Sequence, residues 1–395
     1  MKKLIAMLLA LLMLASLMTG CASKETTPAQ DTETKTDAAP ADTNSAEETT
    51  DAEPTENPYA EQIAECIASF EQEQSAWTEW TGPTTGPKIA EGKKICIINQ
   101  DSSNGGEALW GDQVAEACET AGWDYVIMDG QGDYSVIRSC FSQAIATGCD
   151  GIVTSADAQD LQTLIEEALS YGIPTVGIHA SDVEGPVESL NLLYNNTSDP
   201  VKIGNAIADY AIADSNGTGR VVIVYNATHA IANAKGEAMK ARIESVGMEI
   251  LEMYSVGDDV ASTLPSKMSG WIATYGDDFY VLSVGDALFD FMIPSIRSAG
   301  AEHIKLVGAD GENAAYDRIR NNDYQVATVP EPGSIFGYMC VDELNRYFNG
   351  EEQVVWHPQM HIVTTENVDE EGGLESRWVP DNNFAEEYKK IWGIS

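Results

Sequence analysis

From Lys93 onward the chain alternates short apolar runs with amphipathic stretches, and the cycle runs twice. The first cycle predicts strands at 94–99 (KICIIN), 123–129 (WDYVIMD), 151–155 (GIVTS), 174–179 (PTVGIH) and 189–193 (SLNLL). Helical patterns lie between and after them at 106–121, 134–147, 158–171 and 199–213. The second cycle predicts strands at 220–226, 248–254, 280–284 and 304–310, with helices at 231–246, 260–274, 286–299 and 312–321. Strands of four to seven residues alternating with helices are the pattern of βαβ units and a parallel sheet. The seam falls near Asn195, and 395 residues are enough to need more than one core. The expected fold class is α/β: two doubly wound parallel-sheet lobes, each with strand order 2-1-3-4-5.

The first twenty residues follow another pattern. Lys2 and Lys3 precede an apolar run from Leu4 to Leu17, the layout of a secretory signal, which is short of the roughly 20 apolar residues a membrane span needs. The segment Leu17-Met18-Thr19-Gly20-Cys21 resembles the bacterial lipobox, with Met18 where Leu is usual. In that pattern the cysteine is lipidated on sulfur and becomes the new N-terminus. Two acyl chains give lasting attachment where one is marginal, so a protein anchored outside the cell through Cys21 is expected. Residues 22 to 57 are rich in Thr, Ala, Asp, Glu and Pro, and Lys24 and Lys35 are their only basic groups. Such a segment buries too little apolar area to offset chain entropy, which makes it a disordered, self-repelling tether.

Charge and cysteine usage exclude more than they assign. A formal net charge of −41 argues against nucleic acid and anionic lipid as partners. None of the seven cysteines has the CxxC or Cys/His spacing of a metal site. Cys66, Cys96, Cys118, Cys140, Cys149 and Cys340 read as small buried hydrophobes, with Cys140 and Cys149 the first pair to check for a disulfide. DGQGDYS (129–135) places carboxylates at alternate positions like a calcium loop but lacks the downstream Glu. SNGG (103–106) is no phosphate loop, and the N-x-T triplets at Asn195, Asn216 and Asn226 read as incidental. Neither GxSxG nor HExxH occurs, so no enzyme, cofactor or metal is expected.

In doubly wound sheets ligands bind beyond the carboxyl ends of the strands. Here those positions are polar: Asn99 to Asn104, Asp129, Ser155, His179, Asn226, Gly285-Asp286 and Asp310-Gly311. Two polar rims on facing lobes suggest a cleft for a small ligand.

The ordered set IPTVGIH, YNNTSDPVKIGNAIADYA, RVVIVYN with KGEAMK, VLSVGDALFDFMIPSIRSAG and IKLVGADG is similar to the periplasmic sugar-binding proteins of the ribose-binding type. The similarity covers about residues 88 to 365, and WTEWTGPTTGPK (77–88) resembles the lead-in of some lipoprotein members. The resemblance implies a first lobe of 88–195 with 331–360 and a second of 196–330 with 361–395. Ahead of them stand a signal at 1–20, the tether at 21–57 and a helical lead-in at 58–87. It implies ligand contacts from Ser103, Asn104, Glu107 and Trp110 in the first loop and helix. His179-Ala180 stands where sugar binders usually carry Asp-Arg, and Asn233 with Lys235 where a helix supplies Arg. Gly285-Asp286 replaces Asn-Asp, Asp310-Gly311 is kept, and Glu331 stands for the Gln at the last crossover. Each residue also has a plainer reading: Asp286 as a helix N-cap, Asp310-Gly311 as a turn, His179 and Trp110 as packed side chains, and Lys235 as a solvated one.

The implied function is an extracytoplasmic protein, mostly monomeric in this family, that captures a sugar or similar polar solute for an ABC permease. Its lobes would close through crossings near Asn195, Pro330 to Pro332 and His361. The alternative is a sensor presenting the same closed form to a chemoreceptor or kinase ectodomain.

Overall fold

The computed structural model describes residues 57–103, 105–257, 259–371 and 378–394. Cys21, the leader, the tether up to residue 56 and Asn104 lie outside the described residues.

The first half of the chain builds β1 (Lys94–Asn99), α2 (Gly105–Ala121), β2 (Asp124–Asp129), α3 (Tyr134–Thr147), β3 (Gly151–Thr154), α4 (Ala158–Ser170), β4 (Thr175–Ile178), β5 (Gly185–Val187) and β6 (Leu192–Asn196), after a leading α1 (Ala60–Gln74). Their sheet has the order β2-β1-β3-β4-β6-β5. β1 to β4 and β6 run parallel, which realises the expected 2-1-3-4-5 order with β6 as the fifth strand. β5 adds an antiparallel edge. The strand expected at 189–193 is displaced: Glu188–Leu190 forms a 3-10 turn, and Asn191 in the left-handed region (φ 53°) launches β6 three residues later, at Leu192.

The second sheet is built from β7 (Arg220–Tyr225), β8 (Glu249–Ser255), β9 (Tyr280–Ser283), β10 (Lys305–Asp310), β11 (Gln325–Pro330) and β12 (Val363–Thr364), in the order β12-β11-β10-β9-β7-β8. Only β12 is antiparallel. Its helices are α5 (Pro200–Ser215), α6 (Ala230–Ser245), α7 (Val260–Tyr275), α8 (Phe289–Ala299) and α9 (Asn313–Arg320). β1 and β7 are buried over nearly their whole length, as strands covered on both faces must be.

Each sheet carries a core on either face. In the first lobe α2 and α10 (Gly333–Asn349) cover one face, and α3 and α4 cover the other. In the second, α5 and α6 oppose α7 and α8. The chain passes from the first sheet to the second between Asn196 and Pro200, where Asp199 accepts from the Val201 N–H at 2.9 Å and caps α5. It returns between Pro330 and Gly333 and crosses again between Asn349 and Val363.

The helix expected in the lead-in is present as α1, and the C-terminal segment departs from expectation. α1 packs on α5, with Ile63 and Cys66 in the second lobe's core. After α11 (Val368–Glu371), α12 (Phe384–Trp392) packs on α10 and α2, so residues 378–394 belong with the first lobe and not the second. The reason is aromatic: Trp392 stacks on Tyr338 at 5.7 Å and its indole N–H donates to Asp342 at 2.8 Å.

The six cysteines from Cys66 onward are free and buried. The thiols that influence each other are Cys96 and Cys149, in place of the Cys140–Cys149 pair.

Candidate functional site

The strand ends of both sheets border two adjoining cavities of about 510 and 380 Å³. Trp110, Asp310, Glu312 and Glu331 line both. The first lobe contributes Ser103 and Gln113 to the larger cavity and Gln100, Glu107, Ser155 and His179 to the smaller. The second contributes Ala287, Gly311, Asn313 and Tyr316 to the larger, and His229, Lys235, Val284 and Gly285 to the smaller.

Lys235, Asp310 and Glu331 form the charged centre. Lys235 sits in α6 with its side chain 7% exposed, and its ammonium donates to Asp310 Oδ1 at 3.1 Å with Glu331 Oε1 at 3.9 Å. Burial works against its charge, but the Asp310 and Glu331 carboxylates outweigh it and its pKa is raised. Lys235 is therefore a held cation and not a solvated surface residue. Glu331 also accepts from the Ser198 hydroxyl. Burial raises its carboxyl above the usual range, opposed by Lys235 and Ser198. Residue 331 lies in the crossing from β11 to α10, so this centre is built into a connection between lobes.

Asp310 occupies the left-handed region at φ 89°, followed by Gly311 at φ 68°. A Cβ on Gly311 would come within 2.6 Å of the Pro330 Cβ, so only glycine fits the turn. The sharp exit from β10 leaves the Asp310 side chain 41% exposed on the cavity wall.

His179 likewise follows its strand at positive φ (53°), and its N–H donates to Asn196 O at 2.8 Å. Its ring lies against Trp110 at 4.7 Å and Phe336 at 5.8 Å, and Nδ1 meets Thr197 Oγ at 2.8 Å. Burial, then the Lys235 charge, hold its pKa down to about 3, so the ring is neutral. Glu107 accepts from Ser155 Oγ, which itself accepts from the Gln100 N–H at 2.9 Å. Burial pushes the Glu107 carboxyl up to about 7 against those bonds.

Two expected residues stand apart from the cavity. Asp286 is fully buried and lines neither cavity. It opens a 3-10 turn that aims its carboxylate under the sheet, where it accepts from Gln325 Nε2 at 2.7 Å, Thr328 Oγ at 2.6 Å and the Gly311 N–H at 3.0 Å. Gly308 makes room: a Cβ there would lie 2.2 Å from Asp286 Oδ1. Asp286 therefore supports the Asp310-Gly311 turn and does not line the cleft. Asn233 is half-buried on α6 but lines neither cavity, whereas His229, Ile231 and Ala232 at the start of that helix line the smaller one. Ser103 lines the larger cavity, with its N–H and hydroxyl bound to Asp101 at 2.9 and 2.7 Å.

Glu312 is the main residue that sequence reasoning passed over. It stands at the N-cap position of α9 without bonding the helix, and burial, then repulsion from Asp310, push its carboxyl up to about 7. Its signal was its place two residues beyond a strand end. Asn195 Oδ1 accepts from the Ala180 N–H at 3.0 Å and its amide donates to Ser181 O and Val183 O, a structural role for the first N-x-T triplet. Asp129 and Asp133 hold local turns, binding the Ser102 and Gln131 N–H groups and Ser135 respectively.

Two doubly wound lobes, joined by crossings and meeting at a polar cavity, define a bilobal solute-binding protein. Residues 95–352 match the family model for the periplasmic binding protein domain, and the chain belongs to that family. It is 24% identical over 241 residues to the ribose import binding protein RbsB of Bacillus subtilis (strain 168), covering 60% of this chain and 76% of that protein. Among solved structures, the arabinose transporter component from Shewanella sp. ANA-3, bound to L-arabinofuranose, superposes with TM-score 0.61 at 18% identity over 76% of this chain and 95% of the other. The Caulobacter myo-inositol binding protein superposes with TM-score 0.60 at 16% identity over 72% and 97%. At such identities the structures share the fold.

Proposed function

We propose that this protein is an extracytoplasmic solute-binding lipoprotein that captures a sugar or similar polyhydroxylated ligand between its lobes and delivers it to an ABC transporter. The observation that carries the reading is that both lobes, and the crossing between them, place polar side chains on the same pair of cavities, beside the indole of Trp110. An aromatic ring offers the C–H face of a sugar a flat partner, and carboxylates accept charge-assisted bonds from its hydroxyls. Asp310, Glu312 and Lys235 approach from the second lobe, and Glu107, Ser155 and Trp110 from the first. A ligand touching both sets favours the closed arrangement, which is the signal a permease reads. The names of the similar proteins, which bind ribose, arabinose and myo-inositol, support the ligand class. Acylation at Cys21 would hold the clamp near its transporter, with the acidic tether giving it reach.

A thermal-shift panel of monosaccharides, disaccharides, polyols and nucleosides tests the reading. A saturable rise in melting temperature with members of the sugar or polyol set is expected. A flat response across that set would overturn it.

A further inference from the structure

The cleft is unbalanced in charge. Glu107, Asp310, Glu312 and Glu331 line it, against Lys235 as its one lysine, and no arginine occurs among the described residues lining either cavity. Lys235 is already shared between Asp310 at 3.1 Å and Glu331 at 3.9 Å. Glu312 faces the cavity without capping its helix, and Glu107 is held by the Ser155 hydroxyl and the Gln100 backbone.

A buried ring nitrogen without a partner lies beside these carboxylates. Thr197 Oγ meets Nδ1 of His179 at 2.8 Å. Nε2 of the same ring is buried, has no hydrogen-bond partner and stands 3.8 Å from Glu331 Oε2. A polar group of the ligand entering there gives Nε2 the partner it lacks.

We propose that the ligand is a polyhydroxylated molecule bearing a protonated amine, an amino sugar or amino polyol, rather than a neutral sugar. The inference rests on the reading of the cleft as a sugar-class site and narrows it. Trp110, which lines both cavities, suits such a ligand, since an indole face accepts a sugar's C–H groups and attracts a cation. Burial holds Glu107 and Glu312 near pKa 7. Glu312 is faced by Asp310, Arg318 and Asp290, and Glu107 by Ser155, the Gln100 backbone and Asp101. A cation brought between them favours both ionised forms, so binding near neutral pH releases protons.

The test is calorimetric titration of the full chain with D-glucosamine, D-galactosamine and 1-amino-1-deoxysorbitol, beside D-glucose, D-galactose, sorbitol and the N-acetylated sugars. At least one amine is expected to bind tenfold or more tighter than its neutral and acetylated counterparts. Its heat should vary with buffer ionisation enthalpy in the sense of proton release, and Glu312→Gln should reduce the amine-to-neutral ratio at least tenfold. Neutral sugars or polyols binding as tightly as their amines would overturn the charge inference and leave the sugar-class reading standing. No binding by any compound would overturn both. An amine preference unchanged in Glu312→Gln and Glu107→Gln, with both variants folded by circular dichroism, would remove the assigned charge partners and the proposal with them.

Discussion

Asp286 Oδ2 accepts the backbone N–H of Gly311 at 3.0 Å, tying the turn after β9 to the turn that presents Asp310. The two carboxylates sit at neighbouring strand ends but do different work. Asp286→Ala leaves Gln325, Thr328 and Gly311 with unpaired buried donors and should cost about 3 kcal/mol of apo stability. Asp310→Asn keeps an acceptor for Lys235 and should weaken ligand binding by about 2 kcal/mol, roughly 30-fold, with a smaller change in the apo unfolding midpoint. Denaturant melts and calorimetry separate them. The reverse pattern, with Asp286→Ala stable and Asp310→Asn binding normally, would contradict the assignment.

Stability should fall as pH rises from about 4 to 8. Burial pushes Glu73, Asp286 and Glu343 up to about 8, and Glu107 and Glu312 up to about 7. The unfolded chain loses these protons near pH 4, so across the window the folded state holds more protons and each rise in pH favours unfolding. The urea midpoint at pH 5.5 is expected to exceed that at pH 8. An equal or higher midpoint at pH 8 would count against these buried acids.

The C-terminal helix should behave as part of the first lobe. Trp392 is fully buried, and Trp392→Ala should cost roughly 3–5 kcal/mol. Hydrogen exchange reads the location: faster exchange is expected in α2 and α10, with α7 and α8 little changed. Loosening confined to the second lobe would refute the packing.

Most of the parallel strands were legible because each is a short apolar run between amphipathic stretches, and β1, β2, β3, β4 and β7 to β10 lie within one or two residues of expectation, whereas β11 was not read as a strand. The β5–β6 hairpin was not, because its three-residue edge GPV carries no periodicity and the left-handed Asn191 shifts the register. Nor was the docking of α12, which depends on aromatic contacts with residues some fifty positions away. In the site, Ser103, Glu107, Trp110, His179, Lys235, Asp310 and Glu331 all line a cavity. Sequence position located Asp286 but gave no direction for its carboxylate, which depends on the space left by Gly308.

Replacing Cys21 with Ser should remove the expected anchor. In cells, the variant should be released to the medium or remain uncleaved, while the parent partitions into detergent. Mature variant protein still entering the detergent phase would show that the attachment lies elsewhere.

The central claim is a clamp that closes on its ligand. Small-angle scattering with and without the compound giving the largest thermal shift tests it most directly. A smaller radius of gyration under saturating ligand, reached at one ligand per chain, is the predicted result. An unchanged radius with the site demonstrably full would contradict closure between the lobes.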